Sequence, residues 1–277
     1  TTLISELLKA SGKRVWLGGN IGHPLLAEVK AIRPEDAAVL ELSSFQLMTI
    51  HGRASTAVVT NVRPNHLDWH TGLEEYAEAK KHVYLAQKPG DLLVLNADDP
   101  GSLACRDSAP GRVRLFSRRT PQPDGAYFDG ETLFFLGKPL MKRSEIRLPG
   151  LHNVENLMAA LCAVGEQAGE EVCRRVAAEF TGVGDTPAPV RALNGVEFIN
   201  DSIASSPSRT VAGLRALEDR SLVLIAGGYD KHIPYDELGA VIKENVRVLV
   251  LCGATAPKIK AAVLAAPGPG PGSVAPW

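Results

Sequence analysis

The apolar run Ala37-Ala38-Val39-Leu40 closes on Glu41-Leu42-Ser43-Ser44-Phe45-Gln46-Leu47, setting a carboxylate and hydroxyls where a buried strand gives way to a loop. Ligands of α/β sheets gather at such strand ends. A second strand end follows at Thr60-Asn61-Val62-Arg63-Pro64-Asn65-His66-Leu67-Asp68, and a helical stretch bearing Lys80 and Lys81 comes directly after it. Oxygen, imidazole and amine groups are thereby offered close together in the chain. A carboxylate with hydroxyls suits Mg2+, which prefers oxygen ligands and bridges to substrate phosphates rather than sitting in an all-protein cage. The set points to nucleotide-dependent chemistry. Taken alone, the same residues have plainer uses: Glu41 and the serines as strand-end and cap groups, His66 as a loop residue, and the Lys-Lys pair on an exposed helix face.

The elements that must position these groups alternate. Leu3, Ile4, Leu7 and Leu8 recur at helical spacing before Gly12, so the chain opens in a helix, entered midway because no start methionine precedes it. Val15 to Leu17, Ala37 to Leu42, Ser55 to Val62, Asp91 to Leu95 and Val113 to Phe116 read as short buried strands, with helical stretches such as Leu73 to Gln87 between them. That alternation predicts an α/β fold with a parallel sheet covered on both faces. Asp129-Gly130 between apolar runs predicts a hairpin within Ala126 to Met141. Asn153 to Ala168 and Glu170 to Phe180 read as consecutive helices.

Glycine and proline concentrate at Thr181 to Pro189 and mark a boundary. The expected organisation is a first domain over residues 1–182, a second over 190–264, and a Pro/Gly-rich tail over 265–277 that neither strand nor helix should tolerate. In the second domain Val196 to Ile199, Leu222 to Ile225 and Val246 to Leu251 read as strands and Ser206 to Leu217 and Tyr235 to Glu244 as helices, making a small Rossmann-like unit.

With 30 basic against 31 acidic residues the net charge is −1, so no electrostatic footprint for nucleic acid or an anionic membrane is visible and specificity must come from local sites. Hydrophobic content of 45% is that of a soluble globular chain. Cys105, Cys162, Cys173 and Cys252 are scattered without metal or redox spacing, which suits a reducing cytoplasm. No apolar run reaches the roughly 20 residues of a membrane span, and no signal core stands near Thr1.

Gly18-Gly19-Asn20-Ile21-Gly22, the Glu41 to Leu47 run, Asn65-His66-Leu67-Asp68, Asn96-Ala97-Asp98-Asp99, His152-Asn153-Val154-Glu155-Asn156, Asn200-Asp201-Ser202 and Gly227-Gly228-Tyr229-Asp230-Lys231 occur in an order that closely resembles the Mur ligases. The resemblance extends to about Val263. It implies a P-loop-type central parallel sheet with helices on both faces, followed by an incomplete Rossmann-like domain. It implies an ATP- and Mg2+-dependent, amide-forming ligase of peptidoglycan synthesis that works through an acyl-phosphate. Within the family it is nearest to the enzyme whose substrates are UDP-N-acetylmuramoyl-L-alanine and D-glutamate, and a monomer is expected.

The chemistry sets a charge problem: an anionic acceptor must meet an anionic γ-phosphate, so metal and fixed cations have to neutralise and align the reactants. By resemblance, Glu41 and His66 are Mg2+ ligands. Lys80 aligns with the lysine that the family carbamylates to support the metal, a modification that needs a partly desolvated, neutral amine, whereas Lys81 is expected in solvent. Asn20 and Ser43 resemble contacts to the UDP-muramoyl substrate. Asn153 and Asn156, three apart on one helix face, resemble the adenine contacts, although Asn153 could equally cap the helix. Asp201, after a strand, can receive ribose hydroxyls. Lys231 and Ser205 match residues that bind the incoming D-glutamate, with a solvated loop lysine as the plainer use of Lys231.

Departures from the family pattern also matter. No Gly-Lys-Ser/Thr phosphate loop is present, the residues 182–189 replace a Gly-x-x-His-Arg junction with Arg191 out of register, residues completing the amino-acid pocket are missing past Val263, and Ile203 stands where many relatives have Lys. The expectation is a fragment that cannot complete the reaction. Two alternatives stay open: another Mur or folylpolyglutamate-type ligase, or a non-catalytic nucleotide-binding module.

Overall fold

The computed structural model describes residues 1–22, 24–63, 70–182, 188–202, 204–217, 221–268 and 273–276. Expectations for Asn65 to Asp68, including His66, and for 183–187, Ile203 and 269–272 fall outside the described residues. Two compact units are present, Thr1–Arg63 with Gly72–Thr181 and the chain from Gly182 onward.

The first unit begins with α1 (Thr2–Ala10), which buries Leu3, Leu7 and Leu8 and ends where Lys13 N donates back to Leu8 O at 3.0 Å. β1 (Val15–Gly19) and β2 (Ala37–Glu41) then pair in parallel, Val15 against Ala37 through Gly19 against Glu41. The chain continues through α2 (Ser44–Leu47), β3 (Thr56–Val59), α3 (Leu73–Lys81), β4 (Leu92–Asn96), α4 (Pro100–Ala104) and β5 (Arg112–Ser117). β6 (Ala126–Phe128), β7 (Thr132–Phe135), β8 (Lys138–Lys142), α5 (Leu151–Ala168) and α6 (Glu170–Glu179) complete it.

The main sheet runs β3-β4-β5-β6-β7-β8, parallel from β3 to β6 and antiparallel thereafter. β4 explains the architecture. All of its residues are buried because Leu92 and Val94 enter one apolar cluster, with Phe116, Phe128, Leu133 and Met158, while Leu93 and Leu95 enter another with Tyr84 and Cys105. A strand buried on both faces loses the polar alternation of a half-exposed one and reads as a continuous apolar run. α5 lies at the centre of the first cluster and buries twelve of its eighteen residues. The sequence reading is therefore met in the covered parallel sheet and in the hairpin through Asp129-Gly130, and corrected in detail: β1 and β2 form a separate ladder, and β8 adds a third antiparallel strand.

The second unit contains β9 (Ala188–Leu193) and β10 (Val196–Asn200), then α7 (Pro207–Arg215), β11 (Leu222–Gly227), α8 (Asp236–Asn245), β12 (Val246–Cys252), α9 (Ala256–Ala265) and β13 (Ser273–Pro276). β11-β12-β13 is a parallel sheet, and Leu222, Leu224 and Ala226 pack with Val211, Leu238, Ile242, Leu249, Ile259 and Val263 beneath it. The Rossmann-like alternation is present. Val196 to Ile199, however, does not join that sheet but forms a two-stranded hairpin with β9, and α9 was not anticipated. The tail is also corrected: Ser273–Pro276 does form a strand, pairing with β12 from Val248 to Leu251. An edge strand needs only one ladder face, so Pro276 can be accommodated there.

Candidate active site

Parallel pairing brings Asn20 and Glu41 side by side at the ends of β1 and β2. Asn20 N donates to Glu41 O at 2.7 Å. The approach is close enough that a Cβ on Gly19, at φ 98°, would lie 2.2 Å from that same oxygen. Only glycine tolerates both the dihedral and the contact. The Glu41 side chain is half-buried, and its Oε2 accepts from the Thr1 hydroxyl at 3.0 Å. Two residues on, Ser43 caps α2 in a reciprocal box: Ser43 Oγ accepts from Gln46 N at 3.3 Å, and Gln46 Oε1 accepts from Ser43 N at 2.9 Å. The helix-cap use of Ser43 is thus real, and it holds the hydroxyl in a fixed orientation.

α3 is tied to this segment by the His82 ring, whose Nδ1 lies 2.6 Å from Leu47 O. Its two adjacent lysines have different surroundings. Lys80 is half-buried with Nζ 5.1 Å from the centre of the Tyr76 ring. Burial pushes its amine below the ordinary lysine value, and the nearby charges of Cys105 and Asp99 draw it part of the way back. Lys81, expected in solvent, is itself only 28% exposed and pairs with the more exposed Glu78 at 2.5 Å.

The turn after β4 supplies the remaining acid groups. Asp99 is 3% exposed and caps α4, accepting from Ser102 N at 2.8 Å. Asp98 accepts from Ser117 Oγ and Arg118 N, each at 2.6 Å. Arg118 in turn pairs with Glu155 on α5 at 2.5 Å. On the same helix Asn153 Nδ2 donates to Pro149 O at 2.7 Å, and Asn156 Nδ2 donates to Asn153 Oδ1 at 3.2 Å. The two asparagines therefore do share a face, and Asn153 also fastens the helix start, as the plainer reading allowed. Beside them His152 is partly buried, which lowers its imidazole pKa despite Glu155.

In the second unit Asp201 follows β10. Burial raises its carboxyl pKa, with Arg209 opposing. Ser205 is exposed just before the start of α7, and Lys231 is half-buried in the loop after β11, where its neighbour Asp230 pairs with Lys258. The structure brings Asn20, Glu41 and Ser43 together, and Asn153 with Asn156. No hydrogen bond or ion pair joins Lys80 to Glu41 among the described residues. Sequence reasoning assigned no part to Asp99, Arg118 or His82. Of these only Asp99 had a local signal, an Asp-Pro pair opening a short helix.

The donor set fits a nucleotide-bound Mg2+. Among the described residues no three His, Cys, Asp or Glu side chains converge on one point. Glu41 offers a hard carboxylate oxygen, the ligand type that Mg2+ prefers. No helix among the described residues is long and apolar enough to cross a membrane.

Residues 1–164 match the Mur ligase middle domain. The UDP-N-acetylmuramoylalanine--D-glutamate ligase of Acetivibrio thermocellus is 51% identical over 264 residues, covering 94% of this chain and 56% of that protein. The enzyme of the same name from Clostridium novyi is 48% identical over 260 residues, covering 94% and 57%. The chain thus spans little more than half the length of these relatives. Among solved structures, MurF from Acinetobacter baumannii superposes with a TM-score of 0.76 at 15% identity, over 99% of this chain and 64% of that one. MurF ligase from Thermotoga maritima in complex with ADP gives 0.71 at 18% identity, over 99% and 73%. At such identities the structural likeness speaks for the fold, whereas the match over the first 164 residues decides descent: the chain belongs to the Mur ligase family.

Proposed function

We propose that this chain carries the core of an ATP-dependent ligase that joins D-glutamate to UDP-N-acetylmuramoyl-L-alanine in peptidoglycan synthesis, acting as a cytoplasmic monomer. The observation that carries the reading is the identity of 48% and 51%, over 94% of the chain, to enzymes named for that reaction. The contrast between desolvated Lys80 and ion-paired Lys81 supports it from the side of the chemistry.

In this reading Glu41, His66 and Lys80 as a carbamate hold Mg2+, which when bound supplies positive charge to the phosphates. Asn153 and Asn156 hold the adenine of ATP, and Asp201 receives the ribose hydroxyls. Asn20 and Ser43 orient the UDP-muramoyl substrate, Ser43 through a hydroxyl already locked by its cap. Lys231, a point cation, and Ser205 take up the D-glutamate carboxylates. The carboxylate of the substrate's L-alanine residue attacks the γ-phosphorus and ADP leaves. The amine of D-glutamate then attacks the acyl carbon, inorganic phosphate departs with one former carboxylate oxygen, and the amine loses a proton. Positioning and electrostatics supply most of the acceleration in such a transfer.

The test is phosphate release by a chain extended to the length of its relatives. Turnover is expected only with Mg-ATP, UDP-N-acetylmuramoyl-L-alanine and D-glutamate together. Equal turnover with L-lysine or L-alanine as acceptor would overturn the assignment.

A further inference from the structure

The turn between β4 and α4 grips the exit of β3 more firmly than a helix cap requires. A cap needs one acceptor for one N–H of the first turn, and Asp99 meets that need through Ser102 N at 2.8 Å. Its carboxylate does more. Oδ1 also accepts from Val62 N at 3.0 Å, and Oδ2 accepts from Arg63 Nε at 3.2 Å, donors that lie 37 and 36 residues away in sequence. Ser102 adds a parallel link, its hydroxyl donating to Val59 O at 2.5 Å and accepting from Asn96 N at 2.9 Å. Gly101 lets the surfaces meet, since a Cβ there would lie 2.6 Å from Val62 O and 2.8 Å from Val62 Cβ. A carboxylate only 3% exposed is costly to bury unless its lone pairs are used. Here they are used by groups from two strand ends, and Asp99 also lies near enough to Lys80 for its charge to be felt there.

We infer that Asp99 is a positioning residue of the ligase site: its carboxylate clasps Val62 and Arg63 at the exit of β3 to the first turn of α4, fixing two strand ends of the parallel sheet relative to each other. The catalytic consequence rests on the proposed ligase function, but the clasp itself does not. An asparagine at this position keeps one acceptor oxygen for Val62 N and Ser102 N and loses the charge that holds Arg63. An alanine loses all three bonds.

Two measurements test this. Hydrogen exchange of the 277-residue chain should show the Val62 amide exchanging about tenfold faster or more in Asp99→Ala, and close to the native rate in Asp99→Asn. Unchanged exchange at Val62 in Asp99→Ala would overturn the clasp. In the chain extended to the length of its relatives, Asp99→Asn should lower kcat by about tenfold with each KM nearly unchanged, because orientation rather than binding is lost. A fall in melting temperature with kcat intact would reduce Asp99 to an ordinary cap and overturn its positioning role. If the unmutated extended chain turned over none of its substrates, the ligase reading would fail while Val62 exchange still decided the clasp.

Discussion

Replacing Lys80 and Lys81 in turn by alanine separates two adjacent side chains of one type that the structure places in unlike surroundings. Lys81 makes a surface pair with Glu78 at 2.5 Å, its partner 59% exposed. Such a pair is worth about 0.3–0.5 kcal/mol, which in a protein of this size corresponds to a melting shift of about 1 °C. Lys81→Ala should therefore lower Tm by about that amount and leave turnover intact. Lys80 gives up its place over the Tyr76 ring, 5.1 Å away, a contact worth about 0.5–1 kcal/mol. Loss of a buried amine also relieves desolvation, so the net change in stability should stay within about 1 kcal/mol. Turnover should fall much further, by about 10²–10³-fold, the usual penalty for deleting one group that stabilises developing charge. The assays are thermal unfolding by circular dichroism and phosphate release in the chain extended to the length of its relatives. A small carboxylic acid added to Lys80→Ala should restore part of the activity by returning oxygens to the vacated space. Were Lys81→Ala the inactive variant, or were no small acid to restore any turnover, the metal-supporting role of Lys80 would lose its basis.

Two further predictions concern the frame. Arg53 donates to both Asp91 oxygens, at 2.7 and 2.6 Å, and with the Lys88 amide holds that carboxyl down to about 2. The unfolded value is about 3.9, so this contribution is complete above it and lost as pH falls toward about 2. Urea midpoints should drop less between about pH 5 and about pH 3 in Arg53→Ala than in the native chain; equal drops would contradict the linkage. Gly19→Ala should cost about 2 kcal/mol or more, because its Cβ would meet Glu41 O at 2.2 Å. An unchanged urea midpoint would refute the close approach of β1 to β2.

What the sequence made legible was whatever lies in local pattern. Asp129-Gly130 marks its hairpin because the turn demands those residues, and the unbroken Leu92 to Leu95 run marks a strand buried on both faces. The cap at Ser43 was likewise visible as one of two uses of the same hydroxyl. Asn194-Gly195 carries an equally strong hairpin signal, with φ 52° and 79°, but Pro187 and Pro189 just before it mark a boundary and mask β9 in the local pattern. Pro257 in the first turn of α9 is a local sign of a helix start. β13 was not legible, since a Pro/Gly-rich segment becomes a strand only by pairing with β12. Nor was the separation of the β1-β2 ladder from the main sheet, which depends on tertiary packing. At the site, the resemblance to the Mur ligases, rather than residue type alone, singled out Glu41, Lys80 and Asn153. The grip of Asp99 on Val62 spans 37 residues and has no local trace.

The most direct test of the ligase account follows the oxygens of the substrate's L-alanine carboxylate. UDP-N-acetylmuramoyl-L-alanine labelled with heavy oxygen at that carboxylate is turned over with ATP and D-glutamate by the chain extended to the length of its relatives, and the released phosphate is weighed by mass spectrometry. An acyl-phosphate route transfers one labelled oxygen to phosphate in each turnover and leaves the other in the new amide. Phosphate free of label, with amide product formed, would contradict it.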